Sequence, residues 1–448
     1  MGIFKAYDVR GLYPQELDED TARRLGYAFG ISRGGTGTVA VGRDMRPSST
    51  PLGDALADGL LRSGCSVLDI GLVTTPCLYF AVGSRKCKGG VMITASHNPG
   101  KYNGFKLCGD GASPIGSESG LKELEAAVLR QEKLPEARGS GKRTEIDIRP
   151  DYVEHLLRMA GGPIGKLRIA FDCGNGAVGA ILPALLEKLP QIDALRLYFE
   201  PDGTFPNHEA NPLVESNLAD VKKVVKDEKC DLGVAYDGDG DRVFFVDETG
   251  ETIPSDLMTA LLARRVLAKE KGASIIYDLR SSRVVAEEIA AAGGKPVEER
   301  VGHAFIKKTM RDRSAPFAGE LSGHFYWRDH FYCDSGLVAT MKVLALASEG
   351  RKLSELVKPL RRTSRSGEVN FEVEDKDGAL ARLEKAFPGA EVGRLDGVTI
   401  KLKDFWFNAR KSNTEPLLRL NVEASSQKLL AETLAKVESV LGVKAAQH

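Results

Sequence analysis

Asp237-Gly238-Asp239-Gly240-Asp241-Arg242 places three carboxylates at alternate positions, separated by residues that have no side chain. Asp231-Leu232-Gly233-Val234-Ala235 leads into the stretch and Val243-Phe244-Phe245-Val246 follows it. Both flanks read as buried strands, so the acids fall on a tight turn between them. Like charges ~4 Å apart repel by ~1 kcal/mol in water and by ~4 kcal/mol near a protein surface. A fold that keeps three together needs a compensating cation, and hard oxygen ligands in a small turn suit Mg²⁺ or Ca²⁺. An EF-hand loop wants glycine where Arg242 stands and helices where these strands lie, although Glu248 does fall at its twelfth position. A catalytic magnesium site is the expectation, set against a calcium loop and a plain solvated turn.

On either side of this turn, short apolar runs alternate with amphipathic stretches, the pattern of an α/β protein. Strands are predicted at 39–42, 66–70, 90–93, 167–171, 194–199 and 274–277. Helices are predicted at 52–62, 121–130, 177–188, 218–226, 257–268, 284–292, 305–311, 337–346 and 353–360. Residues 131–144, rich in charge, glycine and proline, read as a linker. The C-terminal part has another texture, with half-buried alternating strands at 369–373, 398–402, 405–409 and 417–422 and helices at 379–387 and 428–441. The chain therefore reads as α/β units followed by a smaller α+β domain. A faint repeat links the first three units: Val39 to Asp44, Ile169 to Asp172 and Ile275 to Asp278 each end a strand in a polar turn before a helix. Ligands of open α/β sheets gather at such carboxyl ends.

With 448 residues the chain is too long for one core. Basic and acidic residues balance at 62 each, so no global positive field exists to hold nucleic acid. The seven cysteines are odd in number and show no zinc or C-x-x-C spacing, which points to reduced thiols and a cytoplasmic setting. No signal-peptide core opens the chain, and Ala6 stands where an N-myristoylation signal wants Ser or Thr. No apolar run is long enough to cross a bilayer.

Four further stretches carry candidate chemistry. Thr94-Ala95-Ser96-His97-Asn98-Pro99 puts a serine on a polar loop at a strand end, where a helix-cap role is the plain alternative. Adjacent Ser96 and His97 side chains are expected to diverge, and no G-x-S-x-G elbow is present, so a hydrolase triad is not indicated. Lys106 would shuttle protons if desolvation lowered its pKa. In Gly319-Glu320-Leu321-Ser322-Gly323-His324 the carboxylate and hydroxyl share one face of an extended chain and suit paired sugar hydroxyls. Arg410-Lys411-Ser412-Asn413-Thr414-Glu415-Pro416 gathers cations, hydroxyls and an amide into a phosphate cradle, or an ordinary capped turn. The main rival is Gly174-Asn175-Gly176-Ala177-Val178-Gly179, a dinucleotide fingerprint between a strand and a helix, with Glu200 about twenty residues on; it would make the chain an NAD-dependent dehydrogenase.

These motifs, in this order from Tyr7-Asp8-Val9-Arg10-Gly11 to Pro416, resemble the α-D-phosphohexomutase family. The resemblance implies three related mixed α/β domains plus a smaller C-terminal α+β domain around a central cleft. We expect divisions at 1–148 (phosphoserine), 149–250 (metal), 251–364 (sugar) and 365–448 (phosphate). It further implies that Ser96 is a phosphoserine and that Asp237, Asp239 and Asp241 hold one Mg²⁺ per chain with the seryl phosphate. Lys106 and His324 would handle protons, His97 would steady the phosphate, and Arg10, Tyr7 and Arg242 would line the cleft and touch substrate. Glu320 and Ser322 would take sugar hydroxyls and Gly302-His303 would orient the ring. Arg280, Arg410, Ser412, Asn413 and Thr414 would grip phosphate. The implied reaction interconverts hexose 1-phosphate and hexose 6-phosphate through a 1,6-bisphosphate, which also serves as activator. Partners would be small sugar phosphates, with no nucleic acid or membrane, for a monomer or homo-oligomer. Phosphoglucosamine mutases tend to carry Gln between the Glu and Ser of the sugar loop, whereas Leu321 is apolar like the Met of the mannose/glucose group. Arg280 stands where well-known bacterial members have lysine, and Lys411 replaces a small residue or proline.

Overall fold

The computed structural model describes residues 2–130, 133–135, 141–412 and 417–445. Four sheets organise them. The first runs Val9–Leu12, Tyr102–Gly109, Gly89–Ile93, Thr38–Arg43, Ser66–Leu72, Arg143–Glu145. The second runs Thr252–Ile253, Val243–Asp247, Leu232–Tyr236, Leu167–Asp172, Ile192–Leu197. In the third the order is Lys295–Glu299, Ser274–Asp278, Phe317–Gly319, Phe325–Trp327, Cys333–Asp334.

One topology underlies all three. A first strand (Thr38–Arg43, Leu167–Asp172 or Ser274–Asp278) lies between two parallel neighbours. The third strand then turns back as an antiparallel hairpin. That hairpin carries residues 94–101 in the first sheet, 237–242 in the second and 320–324 in the third. The serine loop, the acidic turn and the sugar loop thus occupy one topological position in three copies.

The repeat also extends to hydrogen bonds. Asp44, Asp172 and Asp278 are buried at the end of the first strand. Each accepts the amide two residues on, from Arg46 (3.0 Å), Gly174 (2.8 Å) and Arg280 (2.8 Å). A side-chain acceptor of this kind closes the turn that a bare strand end leaves open.

The three α/β domains share a continuous apolar core, reaching from Ala40 and Phe80 through Ile169 and Phe245 to Phe317 and Leu360. Helix Thr75–Ser84 lies inside it with residues Thr75 to Val82 all buried. It is apolar on every side, so it lacks the amphipathic period that betrays a helix in sequence. The predicted helix at 177–188 is a 3₁₀ turn, Ala177–Ala180, followed by helix Leu182–Glu187; Pro183 starts the latter. The end of the predicted linker is instead an edge strand. There Arg143 pairs with Asp69 (2.5 Å) and Asp54 (2.8 Å); part of 131–144 lies outside the described residues.

The C-terminal domain is an antiparallel sheet in the order Ser364–Glu372, Leu417–Ala424, Phe405–Lys411, Val398–Lys401, Glu391–Gly393, packed on helices Lys376–Ala386 and Gln427–Leu441. Its core is its own. Its ties to the third domain include Arg365 to Asp256 (2.7 Å), Ser282 to Glu423 (3.0 Å), Lys401 to Glu298 (3.2 Å) and Arg283 to the Lys403 carbonyl (2.9 Å). Among the described residues no helix is long and apolar enough to cross a membrane.

Where the three α/β domains meet, His155 Nε2 lies 3.1 Å from His330 Nδ1, and Phe80 packs on the His155 ring at 4.9 Å. Burial, with Arg158 nearby, brings the His155 pKa down to about 4. The neutral ring is the folded form, so its contribution is complete above an unfolded pKa of ~6.5 and is lost as pH falls toward the folded value. The melting temperature of the chain should fall across that window, and His155→Gln should make the fall shallower. Melts at closely spaced pH values measure both.

Candidate active site

Strand Gly89–Ile93 delivers the serine loop to the domain junction. Ser96 is buried and sits at φ +51°, a left-handed conformation rare for a side-chain-bearing residue. Thr94 Oγ1 accepts its amide at 2.9 Å. Its own Oγ donates to Asp237 Oδ2 at 3.0 Å and lies 3.1 Å from His97 Nδ1. The two neighbouring side chains therefore converge, contrary to the sequence expectation, because the left-handed turn swings them to the same side. Burial, together with the charges of Arg242, Arg10 and Lys106, holds His97 well below the usual histidine range, so its ring is neutral.

The acidic turn meets that loop from the second domain. Asp237, Asp239 and Asp241 are all buried, with one oxygen from each within 4.8 Å of the others. Asp237 Oδ1 accepts the Arg242 amide at 3.1 Å. Asp239 Oδ2 accepts from Lys106 Nζ at 2.7 Å and from Thr75 Oγ1; Asp241 Oδ2 also accepts from Lys106. Among the described residues Asp239 Oδ1 is buried without a hydrogen-bond partner, and Asp241 Oδ1 has only the His324 ring nitrogen, at 3.3 Å. Orphaned anionic oxygens are costly unless something positive meets them. Three hard carboxylates with an unmatched oxygen on Asp239 fit a divalent cation well. Burial and the neighbouring acids push Asp237 well above the usual carboxylate range. Burial also acts upward on Asp241, but Lys106 and His324 outweigh it and hold that group well below the range.

The condition attached to Lys106 is not met. Burial does act to lower its pKa, but Asp239 and Asp241 win and raise it, so the ammonium is retained. It works first as a counter-charge.

The third domain adds the sugar loop. Arg242 Nε and His324 Nε2 are 3.3 Å apart, and His324 Nε2 is 3.3 Å from Asp241 Oδ1. His324 Nδ1 lies 2.9 Å from Ser322 Oγ. The Glu320 carboxylate is buried, bonded by the Tyr326 hydroxyl and by the Gly302 amide at 3.2 Å, with Arg280 Nη2 at 3.9 Å. Gly302 has φ +133°, and a Cβ there would stand 2.6 Å from the Tyr7 ring, so only glycine fits. Tyr7 donates to the Val301 carbonyl at 3.0 Å and meets the His303 ring edge-on at 5.4 Å. Burial and Glu320 push its hydroxyl up to about 12. Arg10 reaches Asn98 Oδ1 at 2.9 Å and is paired with Asp8.

From the C-terminal domain, Arg410 pairs with Glu368 at 2.6 Å and Asn421 at 3.1 Å. Burial and then the charge of Arg280 lower its pKa, which places two guanidiniums in one field. Ser412 follows the strand Phe405–Lys411 that carries Arg410, and Asn413 and Thr414 lie outside the described residues.

Two things escaped the sequence. Arg46 is fully buried and bonds the carbonyls of Ser96 (3.0 Å), Asn98 (2.5 Å), Pro99 (2.7 Å) and Tyr102 (3.0 Å). The glycine fingerprint, in turn, is a packing motif. Its amides are used internally: Gly174 to Asp172, Asn175 to the Tyr198 carbonyl, Gly176 to that of Cys173 and Ala177 to that of Gly238. A Cβ at Gly179 would stand 1.9 Å from the Phe199 carbonyl oxygen. The four amides that would open onto a pyrophosphate are already spent, and the short 3₁₀ turn supplies little helix dipole. The dehydrogenase reading is set aside on that ground.

Four consecutive stretches match one set of family descriptions. Residues 1–134, 150–250 and 254–363 match phosphoglucomutase/phosphomannomutase alpha/beta/alpha domains I, II and III, and 368–440 match the C-terminal domain. The chain belongs to the phosphoglucomutase/phosphomannomutase family. It is an enzyme, an isomerase of the phosphohexomutase type. It is 41% identical over 435 residues to the phosphohexose mutases of Xanthomonas campestris pv. campestris (strain B100), covering 96% of each chain. A Salmonella montevideo phosphomannomutase is 40% identical, with 97% of each chain covered. The crystal structure of a phosphoglucomutase/phosphomannomutase family protein from Burkholderia thailandensis superposes with a TM-score of 0.89 at 33% identity, covering 99% of this chain and 98% of that one.

A Cβ at Gly238 would stand 2.4 Å from the Ser96 carbonyl oxygen. Gly238→Ala must therefore part the acidic turn from the serine loop. Turnover by this phosphohexomutase should fall about 100-fold, the order expected of a ~1 Å misplacement, while circular dichroism stays native. Unchanged turnover would mean the two loops need not touch.

Proposed function

We propose that the chain interconverts hexose 1-phosphate and hexose 6-phosphate, of mannose and/or glucose, by way of a phosphoserine at Ser96 and a hexose 1,6-bisphosphate. The observation that carries this is the buried Ser96 hydroxyl, 3.0 Å from the Asp237 carboxylate at the head of the acidic turn. A phosphoryl on Ser96 adds a charge of ~−2 to three carboxylates. Asp237, Asp239, Asp241 and the seryl phosphate would hold one Mg²⁺, which would stabilise charge developing on the transferring group.

The chain's own residues do the remainder. Glu320 and Ser322 present a carboxylate and a hydroxyl to two sugar hydroxyls, and Gly302-His303 packs behind them. The reacting sugar hydroxyl loses its proton to His324, which Ser322 and Arg242 orient from either side. Lys106 stays charged and offsets the negative charge around Ser96. His97, neutral, contacts the seryl oxygen, and Arg10 holds Asn98 of the same loop. Arg280, Arg410 and Ser412, with Asn413 and Thr414, would grip the phosphate that is not reacting. The bisphosphate would turn over in the cleft, so that each phosphate visits each position once, and it would also prime an unphosphorylated serine.

Leu321 in the sugar loop favours mannose and glucose over glucosamine. A coupled assay with the 1-phosphates of all three sugars, each primed with its 1,6-bisphosphate, tests the preference; turnover of glucosamine 1-phosphate alone would overturn it. Ser96→Ala should abolish isomerisation in a folded protein, and retained mutase activity would reject the nucleophile.

Asp239→Asn removes a charge from the turn and should abolish turnover or shift its Mg²⁺ dependence to much higher concentration. A calorimetric titration of the unliganded variant with Mg²⁺ should show the same weakening.

A further inference from the structure

The Arg46 side chain and its Asp44 partner are both 0% exposed. A guanidinium carries five N–H donors in a fixed fork, and five acceptors meet this one. Nε takes Asp44 Oδ2 (3.1 Å), Nη1 takes the Pro99 and Tyr102 carbonyls, and Nη2 takes those of Ser96 and Asn98. Every carbonyl in that set belongs to the serine loop or the residue that closes it. A charge this deeply buried is tolerated only when its donors are satisfied, and here all five are.

Left-handed backbone at a residue other than glycine costs ~1–3 kcal/mol and persists only where its surroundings fix it. At Ser96 the amide side is fixed by Thr94, and the carbonyl side is fixed by Arg46. That same carbonyl oxygen abuts Gly238 of the acidic turn. The second domain closes over the arginine from behind. Phe205 stacks on the guanidinium at 5.2 Å, and a Cβ at Gly203 would stand 2.4 Å from the Arg46 Cα. A cation on an aromatic face is worth ~0.5–2 kcal/mol when desolvated.

The internal repeat shows the same device elsewhere. Arg280 follows Asp278 as Arg46 follows Asp44, two residues after the buried acid, and its Nη2 lies 3.9 Å from Glu320 in the hairpin of its own sheet. In the second domain the position is Gly174, which has no side chain and gives only its amide to Asp172.

We propose that Arg46, backed by Phe205, is a positioning residue that locks the Ser96 loop against the acidic turn and thereby keeps the seryl phosphoryl in line for the sugar rather than for water. This rests on Ser96 being the phosphoryl carrier. A loosened loop admits water, which adds to phosphorus as the bond to Ser96 Oγ breaks; inorganic phosphate departs and the serine regains its proton. The enzyme then falls silent until a bisphosphate primes it again.

The test uses the full chain carrying Arg46→Lys or Phe205→Leu, assayed with hexose 1-phosphate and 1,6-bisphosphate while inorganic phosphate is followed alongside isomerisation. Lysine keeps the charge but has three donors and no fork. For Arg46→Lys we expect kcat to fall about 100-fold with KM nearly unchanged, and phosphate released per isomerisation to rise. For Phe205→Leu we expect a fall of about fivefold in kcat, from the lost ~1 kcal/mol of stacking. An unimpaired kcat in folded Arg46→Lys, a rise in KM alone, or a loss matched by an equal drop in folded protein overturns the proposal. If Arg46→Lys does not fold, Phe205→Leu decides: lower kcat at constant KM with more phosphate release supports it, and wild-type behaviour overturns it. Ser96→Ala run beside them separates the two readings. Retained mutase activity there removes the phosphoserine itself, whereas a dead Ser96→Ala with unimpaired Arg46→Lys removes only the lock.

Discussion

Three buried carboxylates that repel one another sit on one six-residue turn, and much of the molecule is arranged around tolerating them. Lys106 comes from the first domain to bridge Asp239 and Asp241, and His324 comes from the third to lie beside Asp241. Among the described residues Asp239 Oδ1 still lacks a partner. The turn is thus stable only where three domains converge, because no single sheet supplies enough positive charge. Burial raises the stakes of each pairing, since the penalty for an unmatched charge grows as water is removed.

That convergence follows from the repeat. Each of three sheets turns back after its third strand, and each hairpin carries a different chemistry: a hydroxyl at Ser96, anions at Asp237 to Asp241, and a carboxylate, a hydroxyl and an imidazole at Glu320, Ser322 and His324. The shared core beneath them fixes their mutual geometry, so Ser96 reaches Asp237 and Arg242 reaches His324 without any long loop spanning the gap. Packed interiors transmit such placement faithfully because they leave little room to slide.

Much of this was legible in sequence. Alternating acids between two apolar runs gave the hairpin around Asp237 to Asp241, and the Asp44, Asp172 and Asp278 strand ends gave the repeat. What was not legible was non-local. Arg46 looks like any arginine beside a proline, and only the fold shows its fork closed on carbonyls fifty or more residues away. The glycines at 174–179 satisfy a local pattern whose meaning depends on what lies opposite, and here that is the Phe199 and Gly238 backbone. Ser96 and His97 meet because of one dihedral angle that no side-chain pattern announces. Helix Thr75–Ser84 was hidden by being buried on all sides.

The C-terminal domain is joined to the rest by ion pairs and hydrogen bonds rather than by shared core. Its more exposed pair, Lys401 with Glu298, answers to ionic strength, since mobile ions blunt exposed pairs over a screening length of ~8 Å at physiological salt. A joint of that kind also permits swinging that an oily seam would resist. Across this joint the charge of Arg280 acts on Arg410, and the two repel. If these two guanidiniums grip phosphate as proposed, a doubly negative guest between them would cancel that repulsion and draw the two sides of the joint together.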